Sequence, residues 1–175
     1  MGPSQMIYSI AAVAMAGALS LSVSRGSVAG KKQVIRHQLV SQVSGVANEI
    51  LEDIGSKPFD YRTSEANFPT PPNSAAELTQ VSNFGGNCDP ELDCADIDDF
   101  HGKTLSRLPG GLPFDVAVTV SYVNEDDPNA TASVPTFAKE VTLTITSPFI
   151  YHGRPDNLIP ITISRVFTYF KNTTV

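Results

Sequence analysis

The residues best suited to chemistry form an acidic block in the middle of the chain, where several carboxylates could converge on a cation: Asp89, Glu91, Asp93, Asp96, Asp98 and Asp99. Calcium is held in proteins by groups of oxygen ligands, which aspartates supply. The spacing differs from an EF-hand loop, because no glycine stands at the required turn position and no glutamate closes the loop. One hypothesis is therefore a Ca²⁺ site with Asp96, Asp98 and Asp99 as its ligands, and no other cofactor is predicted.

Two other interpretations of the acidic block stay open. It could be a solvated loop in which one aspartate caps a turn or a helix. Alternatively, its carboxylates could pair across a subunit interface with a basic cluster near the start of the chain, since opposite charges favour such docking. The basic cluster consists of Arg25, Lys31, Lys32 and Arg36.

The three histidines give little support for catalysis. His101 lies beside the acidic block, whereas His37 and His152 lie far from it in the sequence. Histidine next to aspartate could act in acid–base chemistry or bind a metal. The sequence contains no HExxH, nucleophile elbow, P-loop or paired CxxC. We therefore expect that the chain is not an enzyme.

The two cysteines, Cys88 and Cys94, flank the segment "DPELD". This separation is short enough to close a small surface loop by a disulfide in an oxidising compartment. The alternative is two unrelated reduced thiols. A short-range disulfide is typical of an exported protein.

The composition favours one compact domain with an appendage. The chain has 175 residues, 41% of them apolar, and a net charge of −6, a composition that argues against intrinsic disorder. Nucleic-acid-binding domains usually present a basic face. We therefore predict no nucleic-acid partner.

The first third of the chain predicts one long helix, residues 1–56. Residues 6–23 carry no charge, and no proline interrupts the segment between Pro3 and Pro58. Gly55 and Pro58 mark its end. A single apolar stripe continues through the second half at helical spacing: Val28, Ile35, Leu39, Val43, Val46, Ile50 and Ile54.

The apolar half could be a signal peptide, a membrane anchor or a segment that packs against copies of itself. A signal peptide needs a basic region before its apolar core, and residues 1–5 contain neither lysine nor arginine. For a simple anchor, the basic cluster at 25–36 would hold the following chain in the cytoplasm, which conflicts with its exported character. Removal of an earlier basic leader would resolve this conflict.

The C-terminal part, residues 114–175, predicts an antiparallel β-sheet head. Three segments alternate apolar and polar residues: 114–123, 139–147 and 160–170. Arg165 interrupts the alternation of the third, which indicates a bulge near Ser164 or Arg165. The segment between helix and sheet, 57–113, is irregular, with one short helix from Ala75 to Val81. The predicted fold class is α+β, a meander packed against the long helix.

The helix and its flanks resemble type IV pilins and related prepilin-class proteins. The resemblance implies that Met1 is the processed, N-methylated first residue of the mature chain. The family commonly has glutamate at the fifth mature position, where this chain has Gln5, so only a neutral hydrogen bond is available there. The positions expected to pack in the filament core are Gln5, Met6, Ile10, Ala14, Gly17, Ala18 and Leu21.

The segment "CADIDDFHGKT", residues 94–104, adds to the resemblance. Similar "DIDDFxG" strings occur in minor pilins, between helix and sheet. The family implies a structural subunit that polymerises into a helical homo-oligomer used in adhesion or motility. The subunit would sit in the cytoplasmic membrane before an assembly machinery extracts it into a cell-surface filament. The alternatives are a secretion-system pseudopilin and a membrane-tethered exported β-domain that binds or scaffolds.

Overall fold

A computed structural model describes residues 15, 38–64, 68, 70–86, 88–89, 94–150 and 158–170 of the chain. The chain divides into two compact units, Met1–Ser41 and Gln42–Val175. Of the first unit, Met15 and residues 38–41 are described, and all of them are helical. The account below concerns the second unit and the four helical residues, 38–41, that lead into it.

Helix α1 spans residues 38–55, so the second half of the predicted helix is confirmed where it is described. It ends at Gly55, where the side chain of Ser56 donates a hydrogen bond to the carbonyl of Asp53 (2.6 Å) and so satisfies one of the helix's last carbonyls. Within the described residues, no helix has the length and apolarity needed to cross a membrane. The buried side chains of α1 lie on one stripe: Leu39, Val43, Val46, Ala47, Ile50, Leu51 and Ile54.

Five strands form one antiparallel sheet in the described part of the chain, in the order β1-β2-β4-β5 with β3 beside β2. Strand β4 pairs along one edge of β2. Strands β1 and β3 therefore share the other edge of β2, at its beginning and its end respectively. The strands are β1 (Thr104–Arg107), β2 (Phe114–Val123), β3 (Thr131–Ala132), β4 (Ala138–Thr146) and β5 (Ile161–Thr168).

The sheet buries one face, as the alternating sequence predicts. In β2 the even-numbered residues from Phe114 to Tyr122 are buried. In β4 the odd-numbered residues from Lys139 to Ile145 lie on the same face, because each is paired with a buried residue of β2. The predicted meander of three strands is therefore confirmed as β2, β4 and β5, and the structure adds β1 and β3.

The predicted bulge in β5 is wrong. The register between β4 and β5 continues without a break from Ile145 opposite Ile161 to Ala138 opposite Thr168. Arg165 pairs with Val141 and so faces the buried side of the sheet, yet it is exposed. Within the described residues, β5 pairs on one edge, so a long side chain there can reach water without a bulge.

The irregular segment contains short 3-10 turns in place of the single helix predicted from Ala75 to Val81. Ala75–Glu77 and Val81–Asn83 are separate turns. Leu78 between them is extended and buried. The backbone N–H of Thr79 bonds to the carboxylate of Asp60 (2.9 Å), and this long-range bond replaces the helical one that a continuous helix would need.

Candidate functional site

A lysine occupies the core face of the sheet. Lys139 is the second residue of β4, and its neighbours in the sheet are Tyr122 and Phe167. Its exposed fraction is 0%. Burying an ammonium group is costly unless it is paired and hydrogen-bonded. Lys139 can therefore lie in the core only if nearby groups pair with its charge and accept its hydrogen bonds.

All three N–H donors of the ammonium group have acceptors. Lys139 Nζ lies 2.7 Å from the carbonyl oxygen of Phe59, 3.2 Å from Asp60 Oδ2 and 2.5 Å from Asp98 Oδ1. Because lysine has three donors and no acceptor, its hydrogen-bonding capacity is used completely. We call Lys139, Asp60 and Asp98 the Lys139 cluster; it contains one cation and two anions, all buried.

Asp60 is held by the backbone that follows α1. Its Oδ1 accepts the N–H of Arg62 (3.0 Å) and its own N–H donates to Thr63 Oγ1 (3.0 Å), which forms a capping box around a 3-10 turn. Its Oδ2 accepts from Thr79 and Lys139. Burial alone would raise the pKa of Asp60, but the charge of Lys139 and the backbone donors outweigh it and hold the pKa below its usual range.

Asp98 belongs to the segment "CADIDDFHGKT", residues 94–104, which is called the acidic motif below. It opens the 3-10 turn Asp98–Phe100, in which Phe100 is buried beside the buried Ile97. The N–H of Ile97 bonds to the carbonyl of Pro58 (3.1 Å). The backbone therefore ties the motif to the end of α1, while the Asp98 side chain ties it to the sheet.

Aromatic rings surround the ammonium group. Lys139 Nζ lies 4.5 Å from the ring centre of Phe59, 5.2 Å from that of Tyr122 and 5.5 Å from that of Phe84. Rings at these distances attract a cation through their faces. The Tyr122 hydroxyl donates to the carbonyl of Thr79 (2.9 Å) and lies 3.4 Å from Asp60 Oδ2. Burial, followed by the charges of Asp60 and Asp98, raises the pKa of Tyr122, so it stays a neutral donor.

The carboxylates of the other two aspartates in the acidic motif accept hydrogen bonds from the backbone of the same motif. Asp96 is buried, and its Oδ1 accepts the N–H of Asp99 (3.2 Å). Asp99 Oδ2 accepts the N–H of Ala95 (3.0 Å). Within the part of the chain that the structure describes, no three histidine, cysteine or acidic side chains converge on a metal position. The calcium site stays a prediction.

His101 and Gly102 join the motif to the sheet. His101 Nδ1 lies 2.8 Å from the Val120 oxygen and 3.1 Å from the Val120 nitrogen, so it can donate or accept according to its tautomer. The N–H of Gly102 bonds to the Val118 carbonyl (2.9 Å). The segment therefore covers the outer edge of β2 directly before β1.

The two cysteines form a disulfide with Cα atoms 5.0 Å apart, as the sequence predicts. The ammonium of Lys103 donates to the carbonyl of Cys88 (3.0 Å). This bond connects the disulfide loop to the segment that leads into β1.

Several predicted sites lie outside the described residues. They are the processed end at Met1, the basic cluster of Arg25, Lys31, Lys32 and Arg36, and the core-packing positions Gln5, Met6, Ile10, Ala14, Gly17, Ala18 and Leu21. These assignments stay predictions. Asp98, one carboxylate of the acidic block, is paired with Lys139.

Lys139 and Asp60 are not among the site residues predicted from the sequence. The period-two pattern of β4 contains the information needed to find Lys139, because it lies two residues before Val141 on the same face. Nothing in the local sequence identifies Asp60 as its partner, because the two residues are 79 positions apart.

Comparisons with protein-family models, curated proteins and solved structures find no match for this chain.

Asp96 predicts an unusual dependence of stability on pH. Burial, then the charges of Asp98 and Asp99, raise the pKa of Asp96 to about 7. In the unfolded chain the group titrates near 3.8. Between these values folding favours the protonated form, so stability falls as pH rises, by on the order of 2–4 kcal/mol across the window. Asp60 acts oppositely: its contribution is present above the usual carboxyl range and is lost in stronger acid.

Asp96→Asn should remove this loss, because an amide cannot ionise but keeps the oxygen that accepts the Asp99 N–H. Thermal unfolding at about pH 5 and about pH 8 measures the effect. The wild-type midpoint should be lower at the higher pH, whereas that of the variant should change little. Asp126→Asn, in an exposed loop, is the control and should behave as wild type. A variant that keeps the wild-type slope would contradict the assignment.

Proposed function

We propose that the chain is a structural subunit of a type IV pilus-like filament that polymerises through its N-terminal helix. The observation that carries the proposal is α1: one buried stripe continues the apolar pattern of the preceding sequence and ends at Gly55, before a small antiparallel sheet. A single-sided helix of this kind buries one face in its own domain. An apolar extension beyond that domain needs another partner.

The α1 segment within Gln42–Val175 would pack on the buried face of the sheet, as in a pilin head. A close approach supports this packing. A Cβ added to Gly55 would lie 2.6 Å from the ring of Phe167 on β5, so a side chain there would displace the ring. The end of the helix and the last strand are therefore in contact.

The Lys139 cluster supports a head whose segments are held together by buried ion pairs. It links the residues after α1 through Asp60, the acidic motif through Asp98 and the sheet through Lys139. The acidic motif that carries the resemblance to minor pilins would then have a structural role. The disulfide is consistent with an oxidising compartment outside the cytoplasm.

Assembly would exchange lipid contacts for contacts between copies. Before assembly the apolar residues would lie in the cytoplasmic membrane; afterwards they would lie in the filament core. Because lipid tails are as apolar as leucine side chains, the exchange itself contributes little, and close packing at small residues has to favour association. Ala14, Gly17 and Ala18 provide such positions. An assembly machinery would drive the subunit from the membrane into the filament. The head would carry the contacts used in adhesion or motility.

The test is the double variant Ala14→Phe and Ala18→Phe, with Ala76→Phe as the control at an exposed position of the head. Sheared cell surfaces would be imaged, and the subunit in the membrane fraction would be quantified. We expect filaments to be lost in the double variant while membrane protein remains, and the control to assemble. Undiminished filaments in the double variant would contradict packing in a core.

Mass spectrometry of the native N-terminus addresses processing separately. The proposal predicts a methylated Met1 as the first residue of the assembled protein. A membrane-tethered β-domain instead predicts protein confined to the membrane fraction, with no sheared filament in any variant.

A further inference from the structure

The Lys139 cluster brings an amine and a carboxyl group together in a place that water does not reach. Lys139 Nζ lies 2.5 Å from Asp98 Oδ1, and the side chains are 0% and 4% exposed. The second carboxylate, Asp60, is 0% exposed and touches the same nitrogen at 3.2 Å. Three aromatic rings enclose the group.

We propose that Lys139 and Asp98 condense to an intramolecular isopeptide bond, with Asp60 transferring the protons. The bond would join Lys139 Nζ to Asp98 Cγ. This inference does not depend on the proposed filament, because it concerns the chemistry of the folded head alone.

The roles of the two carboxylates follow from their partners. Asp98 is the electrophile because its Oδ1 lies nearer to Lys139 Nζ (2.5 Å) than Asp60 Oδ2 does (3.2 Å). Asp60 is held in place by the backbone donors of Arg62 and Thr79. These donors fix the position of the carboxylate, and its Oδ2 lies 3.2 Å from Nζ, within reach of the proton that it would take up and return.

The reaction balances without a co-reactant. Asp60 takes one proton from the Lys139 ammonium, and the nitrogen lone pair attacks Cγ of Asp98. The tetrahedral intermediate loses one carboxyl oxygen, which leaves as water with two of the three ammonium protons, one of them delivered by Asp60. The third proton stays on the new amide nitrogen, and Asp60 returns to its starting state.

The surroundings favour the product. In water, an amine and a carboxylic acid stay as ions because hydration stabilises both charges, and burial removes that hydration. Holding the two groups in contact also replaces a bimolecular encounter, which corresponds to effective concentrations of about 10⁵–10⁸ M for well-oriented groups. The product is a neutral amide among aromatic rings.

The bond would add a covalent connection that reducing agents do not break. It would close a loop between positions 41 residues apart and fix the acidic motif to β4. The disulfide is confined to its own short loop. The two cross-links would therefore constrain different parts of the head.

The test is the intact mass of the purified full-length chain after denaturation and reduction. We expect the mass to be lower than that of the sequence by one water molecule, and tandem mass spectrometry of a digest to find a branched peptide joining positions 98 and 139. Lys139→Arg keeps a cation but lacks the reactive amine, so it should have its full sequence mass. Folding of each protein would be checked by cooperative unfolding.

Two further variants separate the cross-link from simple pairing. Asp98→Asn should form the same bond with loss of ammonia, so its final mass should equal that of the cross-linked wild type. Asp60→Asn should fold without the bond and keep its full mass, and a cross-link in that variant would exclude Asp60 as the proton carrier. Folded wild-type protein at its full sequence mass would overturn the proposal.

Discussion

Lys139→Met is expected to lower the free energy of unfolding by at least about 3–5 kcal/mol, the range for removing one partner of a buried ion pair, and it also removes the amine needed for the proposed bond to Asp98. Methionine resembles the lysine stem but has no charge and no donor. Asp60 and Asp98 would remain buried without their cation, and the carbonyl of Phe59 would lose its donor. Chemical denaturation at neutral pH, followed by circular dichroism, measures the change.

Lys57→Met is the matched control. Lys57 lies just after α1 and is only half-buried, so its replacement should change stability by no more than about 0.5 kcal/mol. Equal effects of the two variants would show that the buried pairing adds nothing to stability.

A second substitution tests whether the cost comes from the orphaned carboxylates. In the Lys139→Met background, Asp98→Asn removes one of the two unpaired charges while nearly conserving its volume. We expect the double variant to be more stable than Lys139→Met alone, since residues in one network are coupled by about 0.5–3 kcal/mol. A further loss of stability would indicate that Asp98 acts mainly through other contacts.

The central strands of the sheet could be predicted because they are half-buried. Strand β2 begins and ends at the predicted residues, Phe114 and Val123, and β4 begins one residue before its predicted start. Strands β1 and β3 have four and two residues, too few for alternation to distinguish them from loops. Their positions depend on pairing with β2.

The Lys139 cluster shows why local patterns were insufficient for the site. The alternation of β4 places Lys139 on the core face, but the cost of burying it is met by residues from two distant segments. The acidic motif indicates several carboxylates close together, which fits a calcium site as well as a lysine pair. The partner of Asp98 lies 41 positions away, so the local sequence does not identify it.

Gly85→Ala is expected to separate the segment around Phe84 from the acidic motif. Gly85 has a φ of +81°, and a Cβ there would lie 2.7 Å from the carbonyl oxygen of His101. A left-handed conformation costs a non-glycine residue about 1–2 kcal/mol, and a forced contact costs about 1–3 kcal/mol more. We therefore predict a loss of about 2–5 kcal/mol in the free energy of unfolding, measured by denaturant titration.

Gly102→Ala isolates the backbone contribution, since Gly102 has a φ of +77° but a Cβ there would meet nothing within 4 Å. It should lose only the conformational part, about 1–2 kcal/mol. The difference between the two variants measures the contact with His101. Gly85 also bonds to the Asp98 carbonyl (2.9 Å), and the adjacent Phe84 ring lies 5.2 Å from that of Tyr122. A shift at Gly85 should therefore weaken the aromatic enclosure of Lys139. Equal losses in the free energy of unfolding in both variants would mean that the segment around Gly85 can move without disturbing that enclosure.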